Sequence, residues 1–380
     1  MGTARKGARP QDRLGPRRRP AGAAGRVQPS RARDSPVGVP RRGPRQVAVR
    51  NSGARSLRSA TAASQGSVAL SANGMDAHRP TQTTDRGYLM IQLELRRLGR
   101  TEMRATAIGI GCASLGMPDR TDEAGIRAVR RALELGTNYL DTSPAYGESE
   151  RRVGLALRGG WREKIYLQTK TGTHPQRRGD YSTEGTRWSV ENSLRLLGTD
   201  YLDAVLIHDP ADIEVPLAPG HALDELLRMK ERGLVRHVGL GCRQHRFHKR
   251  TIETGLLDLA LTYLDYTLLD QSAAETTLPL AKEYEVGVQL ASVFGCWAGV
   301  LTGKEPENHP LAHAMWNWCR QRGLNIRHLA LHFALAAPVD GIVIVGSGTP
   351  EHVEEVFSDA HTPVPPERWR EFKAEFGVGV

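Results

Sequence analysis

What most constrains this chain is a regular alternation that begins near residue 107. Short runs of apolar residues recur at 107–111, 138–141, 165–169, 204–207, 237–241, 256–261, 286–291 and 341–345, separated by stretches of helical periodicity. These runs show no polar alternation, so each predicts a strand covered on both faces, the environment of a parallel sheet walled by helices. Eight strand–helix units over roughly 290 residues predict a (β/α)8 TIM barrel. A doubly wound open sheet is the alternative, but no GxGxxG follows any of the strands. The segments 92–97 and 104–108, either side of Gly99-Arg100-Thr101-Glu102, read as a β-hairpin ahead of the first strand. Residues 122–135 carry an apolar stripe that stops at Gly136, the residue type that favours helix ends. Further helices are predicted at 149–157, 183–197, 222–232, 246–254, 273–284, 311–321, 326–336, 350–357 and 366–376.

The net charge of +10 is unevenly placed. Residues 1–89 hold 18 basic and 4 acidic residues, which leaves 34 basic and 38 acidic residues in 90–380. The leading segment is rich in Arg, Pro, Gly, Ala and Ser and poor in large apolar side chains, so it is expected to be disordered. Three readings compete for it: binding to an anionic partner, a transit peptide, or upstream sequence translated from an over-early start codon. The GC-rich residue usage favours the third, with the domain beginning at Met90. The body is slightly acidic, which argues against nucleic acid as a partner of the whole chain. Cys112, Cys242, Cys296 and Cys319 show no ligand spacing, so neither a metal site nor a disulfide framework is expected, and a cytoplasmic location is. No run of about 18 apolar residues predicts a membrane span.

Polar residues at the C-terminal ends of barrel strands share one rim, and chemistry belongs there. Residues 138–147 read NYLDTSPAYG, which places Asp141 at the end of the second strand and Tyr146 in its loop. The third strand leads to Lys170 and the fourth to His208. Three consecutive strands thus deliver a carboxylate, a phenol, an ammonium and an imidazole to the same rim.

With LDTSPAYG, LQTK, LIH, the hairpin opening and GSGTPEHVEE all in place, the segment from about Leu93 to Phe376 resembles the aldo-keto reductase family. The resemblance implies that Tyr146 is the proton donor and acceptor, that Lys170 and Asp141 tune it, and that His208 orients the substrate oxygen. The chemistry is sensible on its own terms. A phenol with a pKa near ~10 holds its proton at neutral pH, a nearby ammonium lowers that value, and a carboxylate keeps the ammonium in place. Tyr146 could then protonate a carbonyl during reduction or accept the proton of an alcohol during oxidation. Hydride transfer needs a nicotinamide, since no side chain supplies it.

The resemblance also implies where that cofactor binds. Gly241 and Cys242 stand where many relatives carry Ser-Asn against the carboxamide. Tyr263 stands where many carry Gln, and Ala291, followed by Ser292, where a Tyr often stacks on the nicotinamide. Gly346, Ser347, Gly348 and Thr349 open a helix whose amides can cradle phosphate. NADPH-preferring relatives place Lys and Arg at the positions of Gly346 and His352. Their absence here, with Glu354 and Glu355 close by, favours NAD, with NADP as the alternative. TYLDYTLLD, ASVFG and TGKEPENHP look most like the sugar-oxidising branch, the L-galactose, L-fucose and D-threo-aldose 1-dehydrogenases, which oxidise the C1 hydroxyl of a pyranose to a lactone. Phe294 and Trp297, with His208, are then candidates to line the substrate site, and His174 and Asp209 to meet its hydroxyls. An NADPH-dependent aldehyde or ketone reductase and a cofactor-binding regulatory subunit are the competing readings. The expected partner is a small molecule, without nucleic acid or membrane, and the expected assembly a monomer or small homo-oligomer.

Overall fold

The computed structural model describes residues 93–295 and 299–380. The Arg-rich leading segment, Cys296 and Trp297 lie outside the described residues. Strands β1 (Leu95–Arg97) and β2 (Arg104–Thr106) form the antiparallel hairpin. Next come β3 (Ile108–Gly111), β4 (Tyr139–Asp141), β5 (Tyr166–Thr171), β6 (Leu202–His208), β7 (Val235–Gly241), β8 (Leu259–Tyr263), β9 (Gly287–Ala291) and β10 (Gly341–Gly346). These eight form a closed barrel, each strand parallel to its neighbours, with β10 pairing β3 to complete the ring. The predicted (β/α)8 architecture is therefore the observed one.

Two apolar layers result. One lies between the barrel and the surrounding helices, where Val129, Val153, Val190, Leu226, Leu329 and Phe357 are buried against the outward-facing strand residues. The other fills the barrel itself with Ala204, Leu206, Leu259, Leu261, Ile342 and Ile344. Leu98, Met103 and Ala105 of the hairpin belong to this inner layer, so the hairpin plugs the end of the barrel where the strands begin. Gly99 makes the plug fit. It has φ of 56°, and a Cβ there would lie 2.1 Å from Gly287 N at the start of β9.

Helix limits follow local chemistry. Thr121 caps the helix Asp122–Glu134 by accepting from Ala124 N, and Ser182 caps Thr183–Leu197 by accepting from Gly185 N. Gly198 ends the latter helix in the left-handed region. The run expected as a strand from residue 256 enters the barrel only at Leu259. The Asp258 side chain accepts from Val238 N at 3.1 Å and from Lys230 Nζ at 2.5 Å, which fixes the entry point and leaves Leu256 exposed. The helix expected over 273–284 is broken at Thr276 into Ser272–Glu275 and Thr277–Glu283. A short helix at Glu214–Leu217 has no counterpart in the sequence pattern.

Candidate active site

The C-terminal rim of the barrel surrounds a cavity of about 1250 Å³. Asp141 ends β4 and Lys170 lies in β5, in registers that bring both side chains to the cavity floor. Lys170 Nζ donates to Asp141 Oδ1 at 2.6 Å, to Asp141 Oδ2 at 2.8 Å and to Thr142 O at 2.9 Å. Both side chains are almost fully buried. The ammonium sits 4.9 Å from the centroid of the Tyr146 ring, and the ring meets the His208 imidazole edge-on with centroids 6.1 Å apart. The four groups named from the sequence thus converge, although no two consecutive members are closer than five residues along the chain.

The Tyr146 loop is held by a contact that only glycine permits. A Cβ on Gly116 would lie 1.5 Å from Tyr146 O, so the loop after β3 and the loop after β4 touch backbone to backbone. Tyr146 O also accepts from Ser149 N at the start of the helix Ser149–Leu157. Beneath the pair lies a buried polar layer. Gln168 Nε2 donates to Asp141 Oδ1 at 2.8 Å and to Gln289 Oε1 at 2.7 Å. Gln289 Nε2 donates to Gln168 Oε1 and to the Tyr139 hydroxyl, each at 2.8 Å, and that hydroxyl donates to Gln168 Oε1 at 2.9 Å. All three residues are fully buried, so each amide finds its partners inside the barrel.

Burial pushes the Tyr146 phenol above 10, and this outweighs the downward pull of Lys170. The sequence argument for a phenol lowered by its ammonium is therefore half realised: the pull is present, and desolvation is larger. Tyr146 therefore holds its proton at neutral pH. Lys170 is raised, because Asp141 and Tyr146 together outweigh its desolvation. His208 is held well below 6.5 by burial and by Lys170, so the ring is neutral. Its Nδ1 lies 2.8 Å from Thr173 Oγ1 and 3.3 Å from Ser143 Oγ. With the Thr173 and Ser143 hydroxyls taken as donors to Nδ1, the neutral ring carries its proton on Nε2, from which it can hydrogen-bond an oxygen in the cavity. Tyr181 fixes the end of β6 by donating to His208 O at 2.7 Å.

The positions expected to hold a cofactor divide into two sets. Tyr263, Ser292, Gly346, Gly348 and His352 line the cavity, as does Phe294 from the expected substrate set. Tyr263 and Ala291 are register partners on β8 and β9, so the tyrosine stands beside the small residue. Gly241 closes β7, close to the His208 ring, and a Cβ there would be 3.9 Å from His208 Cδ2. Cys242 points away, with its thiol buried near His248 Nε2 at 3.7 Å. Ser347 is buried and its hydroxyl donates to Thr349 O, while Thr349 caps the helix Pro350–His361 by accepting from His352 N. Glu355 faces Arg327 in an ion pair and does not line the cavity, and Glu354 pairs with Arg131 at 2.6 Å. Their charges are thus already partnered, which weakens the case drawn from them against a phosphate. Trp297 is outside the described residues.

Arg120 is the residue the sequence did not single out. It lines the cavity, and its Nη2 lies 2.9 Å from where a Gly348 side chain would begin. Arg120 Nε and Ser114 Oγ are buried and have no hydrogen-bond partner among the described residues. Arg120 Nη2 and, 3.1 Å from that same Cβ position, Ser114 Oγ thus approach Gly348 in the loop that opens the helix Pro350–His361, a cationic and polar corner that suits an anionic phosphate. Only the fold brings Arg120, in the loop after β3, beside the loop after β10. Among the described residues no cluster of His, Cys, Asp and Glu could hold a metal ion, and no helix is long and apolar enough to cross a membrane.

The Aldo/keto reductase family model matches residues 107–374. D-threo-aldose 1-dehydrogenase of a Pseudomonas species is 28% identical over 305 residues, which cover 70% of this chain and 92% of that protein. L-galactose dehydrogenase of Arabidopsis thaliana is 31% identical over 284 residues, covering 70% of this chain and 88% of that protein. Among solved structures, the holo form of an aldo-keto reductase of Bacillus halodurans shares the fold with a TM-score of 0.62 at 24% identity, covering 74% of this chain and 96% of that one.

Proposed function

The chain belongs to the aldo/keto reductase family, and from that premise we propose that it oxidises the C1 hydroxyl of an aldopyranose to a lactone with NAD. The observation that carries the proposal is the buried Lys170–Asp141 pair at 2.6 Å beneath the Tyr146 phenol, with the neutral His208 ring across the same floor. The relatives that oxidise D-threo-aldoses and L-galactose support the substrate class.

A bound nicotinamide supplies the hydride acceptor, and the chain supplies the rest. Tyr146, protonated in the resting cavity, gives its proton to a carbonyl oxygen in the reductive direction; in the oxidation it first releases that proton to solvent and, as the phenolate, takes the proton of the C1 hydroxyl. Lys170 stabilises the phenolate form, and Asp141 keeps Lys170 charged and in place. His208 donates a hydrogen bond from Nε2–H to the reacting oxygen, keeping its own proton, and stabilises charge that develops there. Phosphate oxygens of the dinucleotide would be met by Arg120, Ser114 and the amides after Gly346. The free buried thiols of Cys112, Cys242 and Cys319 fit a reducing compartment such as the cytoplasm.

The test is a steady-state screen of L-fucose, L-galactose and related pyranoses with each oxidised dinucleotide, set against reduction of 4-nitrobenzaldehyde with NADPH. Sugar turnover with NAD is the expected result. Efficient aldehyde reduction with no sugar oxidation would defeat the proposal. Arg120 is the observation that favours a second reading, in which it grips a ribose 2′-phosphate and the chain is an NADPH-dependent carbonyl reductase. Arg120→Ala should raise the dissociation constant about tenfold or more, read by quenching of protein fluorescence. Under the NAD reading both dinucleotides lose affinity equally; under the second, NADPH loses far more.

A further inference from the structure

We infer that Asp209 is a specificity residue that selects substrates carrying a hydrogen-bond-donating hydroxyl on the carbon next to the reacting one, and that it disfavours substrates with an apolar or anionic group there. This deepens the proposed sugar oxidation and rests on it for the identity of the reacting carbon.

Asp209 follows His208 directly, and its backbone is unusual. It has φ of 41°, in the left-handed region, and is one of five described non-glycine residues with positive φ. Aspartate tolerates that region better than most residues, but the conformation still has to be imposed by its surroundings. Here the bond from Asp209 N to Gly241 O at 2.9 Å ties the turn to β7. The turn directs the carboxylate into the cavity, where Oδ1 accepts from the Tyr263 hydroxyl at 3.1 Å and Oδ2 lies 3.4 Å from His208 Nε2. The phenol of β8 therefore fixes one oxygen and leaves the other facing the floor groups.

His208 Nε2 is also the atom that meets the reacting oxygen. A substrate oxygen held between Tyr146 and Nε2 places its own carbon, and the next carbon along, within reach of Oδ2. An ionised carboxylate only accepts hydrogen bonds. A neighbouring hydroxyl satisfies it; a methylene leaves it facing an apolar group as water is excluded; a second carboxylate repels it. A site built around such a group discriminates strongly against the analogue that lacks the donor. Burial raises the Asp209 carboxyl above 3.8, while Tyr263 and Lys170 act to keep it ionised.

The test uses the full chain and substrate pairs that differ in one hydroxyl: L-fucose against 2-deoxy-L-fucose for oxidation, and glyceraldehyde against 3-hydroxypropanal for reduction. Asp209→Asn retains the left-handed turn and removes the charge. The wild type is expected to prefer the hydroxylated member of each pair, and Asp209→Asn to reduce that ratio of kcat/KM about tenfold or more. Asp209→Ala should reduce it further. Dinucleotide affinity, followed by fluorescence quenching, separates this from a general disturbance of the cavity. An unchanged ratio in both variants, or a fall in both members of each pair by the same factor, overturns the inference. If no pyranose is oxidised but the glyceraldehyde preference exists and depends on Asp209, the sugar-oxidation reading fails and the role of Asp209 stands. If pyranoses are oxidised and the variants keep the wild-type ratios, the reverse holds.

Discussion

Tyr146→Phe is expected to lower kcat by about 10³-fold while the dissociation constant for dinucleotide changes by less than about threefold. The substitution removes one oxygen and little else. The ring keeps its edge-on contact with His208, and Lys170 keeps both Asp141 oxygens and Thr142 O as partners. Loss of turnover cannot then be assigned to a collapsed floor. Single-turnover rates with saturating dinucleotide, measured beside fluorescence titrations, give the two quantities. Wild-type turnover in the variant would remove Tyr146 from the chemistry and, with it, the mechanism proposed above.

Lys170→Met should have the largest effect on stability, about 3–5 kcal/mol, because it leaves the Asp141 carboxylate buried without its counter-charge. For a barrel of this size that corresponds to a fall in Tm on the order of 10 °C. Gln168 Nε2 would remain as a donor to Asp141, but a neutral amide does not replace an ammonium. Adding Asp141→Leu to Lys170→Met should recover part of the loss, since removing both charges is far less costly than removing one. Thermal unfolding of the single and double variants decides this, and a single variant as stable as the wild type would contradict it. The pH dependence has a definite sign. Lys170 holds its proton more tightly in the folded protein than the ordinary 10.5. Its contribution is therefore complete below that value and is lost as the pH rises through the folded one. For His208 the sense is opposite. Its folded value lies below 6.5, so stability declines as the pH falls from about 6.5 towards the folded value.

The barrel was legible because strands buried on both faces leave a pattern that helices and loops do not share. Asp141, Tyr146, Lys170 and His208 were legible because strand ends can be located in a sequence, and all such ends share one rim. The late start of β8 has a single side chain behind it. Asp258 occupies the entrance to β8 and delays the strand past Leu256. What the sequence concealed is contact across the barrel. The weight given to Gly346, His352, Glu354 and Glu355 left out Arg120, which reaches their neighbourhood only through the adjacency of β3 and β10. The Tyr263 hydroxyl reaches Asp209 from 54 residues away, and no local pattern announces it.

The amide and phenol layer of Gln168, Gln289 and Tyr139 joins β4, β5 and β9 through pairs separated by up to 150 residues. Sliding one of these strands along the barrel axis would strand two amides and a carboxylate together, so the height of the catalytic floor is pinned by bond valence as well as by shape. None of the three side chains changes charge between mild acid and mild base. The foundation keeps the same geometry across that range, and any rise or fall of turnover with pH originates in the groups standing above it.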